Sequence, residues 1–367
     1  MGQEREHGRI GVDRPGPVRP GEALDETALR RWLAEALGTS PAALSIEQFP
    51  GGHSNLTYAV TVGARSFVLR RPPFGATVAT AHDMGREYQN LSRLPDVYPK
   101  APRAIAYCDD PAVLGAPFDL MERREGVIVR GPRWPEGLGG DAEKARAVTL
   151  ALVDGLVELH GVDPKAAGLA SLGRPAGYLR RQVEGWTRRY LAARTDTIPD
   201  VEAVGRWLAD HLPAPGDATL IHNDYKLDNV LLDPDAPSRI RAVLDWEMAT
   251  LGDPRMDLGT TLGYWVEASD PEAVRALPLS ATASPGCLTR TEVVERYAQR
   301  SGRAIEDPVF YFAYGLFKIC GIAQQIYRRY VDGHTKDPRF QGMIGAVQVL
   351  SALARRAIDT GRISALG

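Results

Sequence analysis

Apolar residues recur at helical spacing over Leu29, Trp32, Leu33, Ala36 and Leu37, with Asp25 placed to cap the start and Gly38 to stop it. The period then changes. Ser45 to Phe49, Leu56 to Val62 and Ser66 to Arg71 read as strands, the last two joined by a Gly63-Ala64-Arg65 turn. Helical spacing returns over Asp83 to Leu94, with Met84, Tyr88 and Leu91 on one face, and Pro102 to Tyr107 and Phe118 to Met121 read as two further strands. From Asp141 the pattern is helical almost to the end. Val148, Leu152, Leu156 and Leu159 form one stripe, Leu179, Val183, Trp186 and Tyr190 another, and Val201 to Leu212 a third helix. Thr289 to Gly302, Pro308 to Val331 and Phe340 to Thr360 follow. One stretch breaks the helical pattern: Val230-Leu231-Leu232 and Arg239 to Leu244 are β-prone runs split by Asp, Pro and Ser, the signature of a hairpin with a longer loop.

That hairpin carries the candidate chemistry. Closing it brings Asn229, at the start of its first strand, close to Asp245, at the end of its second, because opposed residues in such a pair stand roughly 5 Å apart and diagonal ones about 7–8 Å. Asp224 lies just upstream, in His222-Asn223-Asp224-Tyr225-Lys226-Leu227-Asp228-Asn229. Two carboxylates and an amide oxygen suit phosphoryl transfer from a nucleotide. Mg2+ takes oxygen ligands, keeps several waters, and binds through one or two carboxylates together with substrate phosphates. Asn229 and Asp245 are the expected metal ligands. Asp224 is left to orient an acceptor hydroxyl and take its proton, Lys226 can neutralise charge on the travelling group, and His222 reads as a scaffold for the metal-site backbone.

The spacing His-x-Asp-x-x-x-x-Asn, followed by Leu-Asp-Trp-Glu, resembles the catalytic loop and metal motif of the aminoglycoside phosphotransferase family. Gly-Gly-His-Ser-Asn, Val-Leu-Arg-Arg-Pro-Pro and Leu-Gly-Arg-Pro look most like the branch resembling the kinase-like domains fused to acyl-CoA dehydrogenases. The resemblance implies an α+β, bilobal, protein-kinase-like fold with a small antiparallel-sheet N-lobe (23–122) and a larger, mostly helical C-lobe (123–367). It also implies ATP as donor, and phosphate contacts from Gly51, Gly52, His53, Ser54 and Asn55. Val68 then roofs the adenine and Arg70 grips phosphates and pairs with Glu87, although the family usually has Lys there and Arg71 is a rival. The segment Glu122-Arg123-Arg124-Glu125-Gly126 is then the hinge, and Met121, Glu122 and Arg123 are expected beside the nucleotide. Asp257, ahead of a helix, is expected to cap it and tie down the catalytic loop. Trp265, Tyr314, Lys318, Gln325 and Arg328 are candidates to line the acceptor pocket. The acceptor implied is a hydroxylated small molecule, of hydroxy-acid or hydroxyacyl-thioester type rather than an aminoglycoside. A nucleotide-binding scaffold is the rival from another class.

Composition narrows this further. A chain of 367 residues exceeds what one core usually serves, in keeping with two lobes. A net charge of −2 gives no reason to expect nucleic acid or an anionic membrane as partner; the resemblance implies a small-molecule hydroxyl acceptor, and a monomer or homodimer is expected. Cys108, Cys287 and Cys320 lack metal-ligand spacing and fit a reduced, cytoplasmic setting. Residues 1–22, rich in Gly, Pro, Arg and Glu, are expected to be a disordered tail.

Overall fold

The structure is a computed structural model and describes residues 11–39, 43–50, 55–74, 84–166, 168–170, 172–335 and 337–367. Its first part contains α1 (Glu26–Leu37), β1 (Leu44–Gln48), β2 (Leu56–Val62), β3 (Arg65–Arg71), α2 (Met84–Leu91), β4 (Ala104–Cys108), α3 (Pro111–Leu114) and β5 (Phe118–Glu122). The five strands pair antiparallel in the order β1-β2-β3-β5-β4. Gly63, at φ 58, makes the β2–β3 turn that an L side chain would resist.

The pleat sorts this sheet into two faces. Tyr58 and Val60 of β2, Phe67 and Leu69 of β3 and Phe118 and Leu120 of β5 pack with Leu29 and Leu33 of α1 in one core. Each fully buried leucine contributes roughly 1.5–3 kcal/mol there. Thr57, Val68, Arg70 and Met121 line the cleft on the other face. Asp25 caps α1, accepting from the Ala28 N–H, and Gly38 ends it in the left-handed region, as the sequence predicts.

The second part contains α4 (Ala142–His160), α5 (Tyr178–Ala193), α6 (Pro199–Asp210), β6 (Thr219–Ile221), β7 (Val230–Leu232), β8 (Ile240–Val243), β9 (Thr250–Gly252), α7 (Pro254–Tyr264), α8 (Glu272–Arg275), α9 (Arg290–Ser301), α10 (Pro308–Val331) and α11 (Met343–Thr360). The chain is therefore α+β, with an antiparallel-sheet lobe followed by a helical one. α10 is the axis of the helical lobe and touches α5, α6, α7 and α11. It crosses α7 with backbones in contact: a Cβ on Gly315 would stand 1.9 Å from the Gly259 carbonyl oxygen. By length and hydropathy α10 meets the criteria for a membrane span, yet 78% of its most apolar stretch is buried inside the protein, the mark of a core helix.

The segment 11–22 departs from the disordered tail expected of it. Gly16 and Gln48 exchange backbone hydrogen bonds (2.9 and 2.8 Å), the Asp13 N–H donates to the Gly126 carbonyl (2.9 Å), and Asp13 pairs with Arg130 at 2.9 Å. Backbone groups form most of these bonds, so a stretch without apolar periodicity is still held. Residues 1–10 lie outside the described residues.

Candidate active site

β6 delivers the chain into the loop that follows Ile221, and α7 holds that loop from behind. The Asp257 carboxylate, fully buried, accepts from the backbone N–H of His222 and of Asn223, both at 2.7 Å, and from His160 Nε2 at 3.1 Å. Tyr297 donates its hydroxyl proton to His160 Nδ1 (2.7 Å), so both ring nitrogens are engaged. Burial works against the Asp257 charge, but the donors from His160 and the loop outweigh it and hold the carboxyl below the usual range. Asp257 is not the cap expected. Asp253 caps α7, accepting from the Arg255 N–H at 3.0 Å, while Asp257 sits one turn in and holds the loop and His160 instead.

Asn223 occupies the left-handed region (φ 67), which Asn tolerates better than most residues. Three further contacts fix it there. Its Nδ2 donates to the Met248 carbonyl (3.0 Å), its Oδ1 accepts from the Tyr178 hydroxyl (3.0 Å), and its own carbonyl accepts from the Lys318 ammonium. Thr260 Oγ1 is the second neighbour of Lys318, at 3.5 Å. Burial pushes the Lys318 ammonium down to about 8, against the pull of Asp224 and Asp257. His222 Nδ1 accepts from the Asp224 N–H (3.2 Å) and Nε2 donates to the Leu244 carbonyl (2.9 Å), partners that assign the Nε2–H tautomer and leave no nitrogen for proton transfer.

The hairpin β7–β8 closes with Val230 opposite Val243, and the Leu244 N–H donates to the Asn229 carbonyl at 2.8 Å, so its open ends meet. Asn229 Nδ2 donates to the Asp224 carbonyl (2.8 Å) and to Asp224 Oδ2 (2.9 Å). Both amide hydrogens are thus directed at Asp224, and the side-chain oxygen is the atom left for a cation. Lys226 Nζ lies 2.8 Å from the same Oδ2 and 4.3 Å from the Tyr264 ring centre. Burial opposes the Lys226 charge, but Asp224 more than offsets it and keeps the ammonium protonated. Asp245 follows the hairpin in the left-handed region (φ 68) and lines the cleft with Asn229. Asp224, Asn229 and Asp245 therefore share one corner.

The cleft itself spans both parts of the chain and encloses about 940 Å3, open to solvent. Val68, Met121, Ile128, Leu231 and Leu244 give it apolar walls, and Glu122 and Arg123 lie along its rim. Gly126 lets the connecting segment pass under β7, since a Cβ there would meet the Leu232 carbonyl at 2.6 Å. Of the two candidate cations, Arg70 faces the cleft. It pairs with Glu87 of α2, reaches Asp245 Oδ1 at 3.0 Å and stands 3.7 Å from Glu247. Arg71 points to the other face, with its Nε on the Pro72 carbonyl and its guanidinium 3.6 Å from the Phe74 ring centre. Burial works against the Asp245 charge and Arg70 outweighs it, so that carboxyl is held below its usual range.

Four contributors escape a reading of the sequence. Asp119 stands directly across the strand pair from Arg70, fully buried, with neither carboxylate oxygen hydrogen-bonded; burial raises it to about 7 although Arg70 pulls the other way. Glu247 accepts from Asn55 Nδ2 at 2.8 Å, which places Asn55 on this acidic corner. Asp13 and Arg130 line the far end of the cleft. Only strand alternation, pairing Arg70 with an unknown partner one strand over, hints at any of them. Gly51, Gly52, His53 and Ser54 lie outside the described residues. Of the acceptor-pocket candidates, Gln325 lines a groove beside Asn223, whereas Trp265 and Tyr314 are buried in the core and Arg328 pairs with Asp332 at 2.8 Å.

Among the described residues no group of three or more His, Cys, Asp or Glu side chains is arranged to cage a metal. One carboxylate and one amide oxygen at the corner, Asp245 and Asn229, instead make a sparse oxygen set of the kind that would suit an Mg2+ arriving with phosphates.

The model of the phosphotransferase enzyme family matches residues 45–285. Acyl-CoA dehydrogenase family member 10 of Mus musculus is 34% identical over 90% of this chain, and family member 11 of Gallus gallus 34% over 86%. The matched regions are 31% and 41% of those proteins, so the chain spans well under half the length of these curated relatives. A crystal structure from Ralstonia eutropha, described as a candidate aminoglycoside phosphotransferase, superposes with a TM-score of 0.73 at 30% identity, over 92% of this chain and 99% of that one. A thermostable mutant of aminoglycoside phosphotransferase APH(4)-Ia, in a ternary complex with AMP-PNP and hygromycin B, shares the fold (TM-score 0.56, 17% identity, 89% of this chain and 98% of that one).

Proposed function

Since the chain belongs to the phosphotransferase enzyme family, we propose that it moves the γ-phosphoryl group of ATP to a hydroxyl of a small molecule, of hydroxy-acid or hydroxyacyl-thioester type. One observation carries the proposal: Asp224, Asn229 and Asp245 converge where the two lobes meet, with Arg70 reaching the same corner from the sheet. Val68 and Met121 above, and Leu231 and Leu244 below, suit the flat faces of an adenine. Arg70, held by Glu87, suits the phosphates, since a guanidinium offers paired donors to anionic oxygens.

Asn229 and Asp245 would hold Mg2+, whose charge, when bound, offsets that of the phosphate oxygens. Asp224 accepts the proton of the acceptor hydroxyl as that oxygen forms its bond to the γ-phosphorus and the bond to the β-phosphate oxygen breaks. Lys226 and Asn229 both engage Oδ2 of Asp224, so we assign the acceptor proton to Oδ1. His222 and Asp257 take no proton in this scheme; they fix the backbone on which Asp224 sits. Positioning supplies most of the acceleration, as expected where little covalent chemistry falls to the protein.

The test is nucleotide turnover by the purified protein with Asp224→Asn beside it. Magnesium-dependent release of ADP should fall about 100-fold or more in the variant, with ATP affinity nearly unchanged. ADP release at the same rate in both proteins would remove Asp224 from the chemistry.

A further inference from the structure

A second groove opens on the other side of the catalytic loop, bordered by Asn223, Glu247 and Met248 and enclosing about 1870 Å3 open to solvent. Its charge is one-sided. Arg86 of α2, Arg174, Arg181 and Arg189 along α5 and its approach, and Arg329 of α10 all line it, against one carboxylate, Glu247, which is already engaged by Arg70 and Asn55. The chain as a whole carries a net charge of −2, so this concentration of positive charge is local.

Arg174, Arg181, Arg189 and Arg329 also differ from other arginines in the same molecule. Arg290 is paired with Asp270, Arg255 with Asp253 and Arg296 with Asp154. In the groove, Arg181 donates to the carbonyls of Arg174 and Ala176, and Arg189 lies 4.6 Å from the Trp186 ring centre. Among the described residues no carboxylate stands within ion-pair distance of Arg174, Arg181, Arg189 or Arg329. Guanidinium groups kept apart from carboxylates, in a concave site, raise the local concentration of anions and can each bind one bidentately.

Resting on the phosphotransferase reading above, we infer that this groove is the acceptor subsite and that the acceptor is itself an anion. Its carboxylate or phosphate oxygens seat on Arg189 and Arg329, and its hydroxyl points past Asn223 towards Asp224. Polycationic acceptors of the aminoglycoside kind are repelled by the same charges. The groove, built from helices of both lobes, thereby selects substrate by charge before any contact is made at the reacting hydroxyl.

Calorimetric titration of the full chain, saturated with magnesium and AMP-PNP so that the nucleotide cleft is filled, tests the subsite. The probes are 3-hydroxybutyrate as a carboxylate source, coenzyme A as a phosphate source and kanamycin as a polycation. At least one of the two anions should bind, and kanamycin should not; which anion binds identifies the source of the oxygens. The Kd of the bound anion should rise tenfold or more in Arg189→Glu and in Arg329→Glu and less in Arg189→Lys. It should stay within twofold in Arg188→Glu, whose arginine lies 3.9 Å from Glu184 outside the groove. Tighter binding of kanamycin, no binding of either anion, or Kd values unmoved by both reversals would overturn the inference. So would capture of anionic vesicles or RNA by these arginines in place of either small probe. Loss of the phosphotransferase reading shows separately, as absent magnesium-dependent ADP release by the wild type.

Discussion

Replacing Arg70 by Met isolates the electrostatics of the cleft. The Arg70 side chain is 10% exposed and Glu87 only 1%, so solvent screens this pair little. Removing one partner of a buried pair generally costs about 3–5 kcal/mol, because the other is left charged without compensation. Here Asp119 and Asp245 lose the same counter-charge. Glu87, already raised by burial, and Asp119, at about 7, should both move up further in the variant. A carboxyl whose folded value lies above its unfolded one binds more protons folded than unfolded. Its stability is full below the unfolded value near pH 4 and is lost as pH rises through the folded one. The deficit of Arg70→Met should therefore be large at pH 8 and shrink towards pH 6, by up to about 2.7 kcal/mol for one carboxyl that stays protonated across those two units. With a urea slope of about 3 kcal/mol/M, the pH 8 midpoint should drop by about 1–1.7 M. Urea unfolding followed by tryptophan fluorescence is a suitable assay, because the backbone N–H of Trp246 donates to Glu87 at 3.2 Å, which puts a buried indole at the same corner. Arg70→Lys keeps the charge and should recover most of the stability. A midpoint loss under about 0.3 M at pH 8, or an equal loss at pH 6 and pH 8, would refute this account.

Asp257→Asn turns an amide hydrogen towards one of the two backbone donors at 2.7 Å; it should lose roughly 3 kcal/mol and lower turnover while ATP affinity measured by titration holds. His160 is held down by burial despite the pull of Asp257, so the unfolded chain takes up a proton first on acidification. Stability should be full above about pH 6.5 and decline as pH falls below it, and His160→Gln should flatten that limb of a pH series of urea midpoints. Gly315→Ala drives a methyl group into the Gly259 carbonyl and should cost about 1–3 kcal/mol or prevent folding, whereas Gly345→Ala, with nothing within 4 Å, should be neutral or stabilising by under about 1 kcal/mol; paired melting curves decide.

What the sequence made legible follows from which contacts are local. The meeting of Asn229 with the end of β8 needs only hairpin arithmetic, and the choice between Arg70 and Arg71 follows from the pleat once one face of β3 is known to be core. Asp119 needs the register of β5 against β3, which no local pattern encodes. The segment 11–22 reads as unstructured because most of the order there comes from backbone donors and acceptors, with the Asp13–Arg130 pair beside them, which leave no hydrophobic signature. Expecting Asp257 as a cap misplaced it by one turn, because Asp253 fits the same role and lies four residues earlier. The arginine groove is assembled from α2, α5 and α10, and along the chain each of its residues resembles an ordinary solvated helix face.

The bond from Asp13 to Gly126 ties the start of the described chain to the crossing between the two lobes, while Gly16 is stitched to the outer strand. A swing that moved the outer strand away from the crossing would strain this clasp. If the cleft takes a nucleotide as proposed, a stretch outside the catalytic loop would bear on how long that nucleotide stays, and removing residues 11–16 should speed its release.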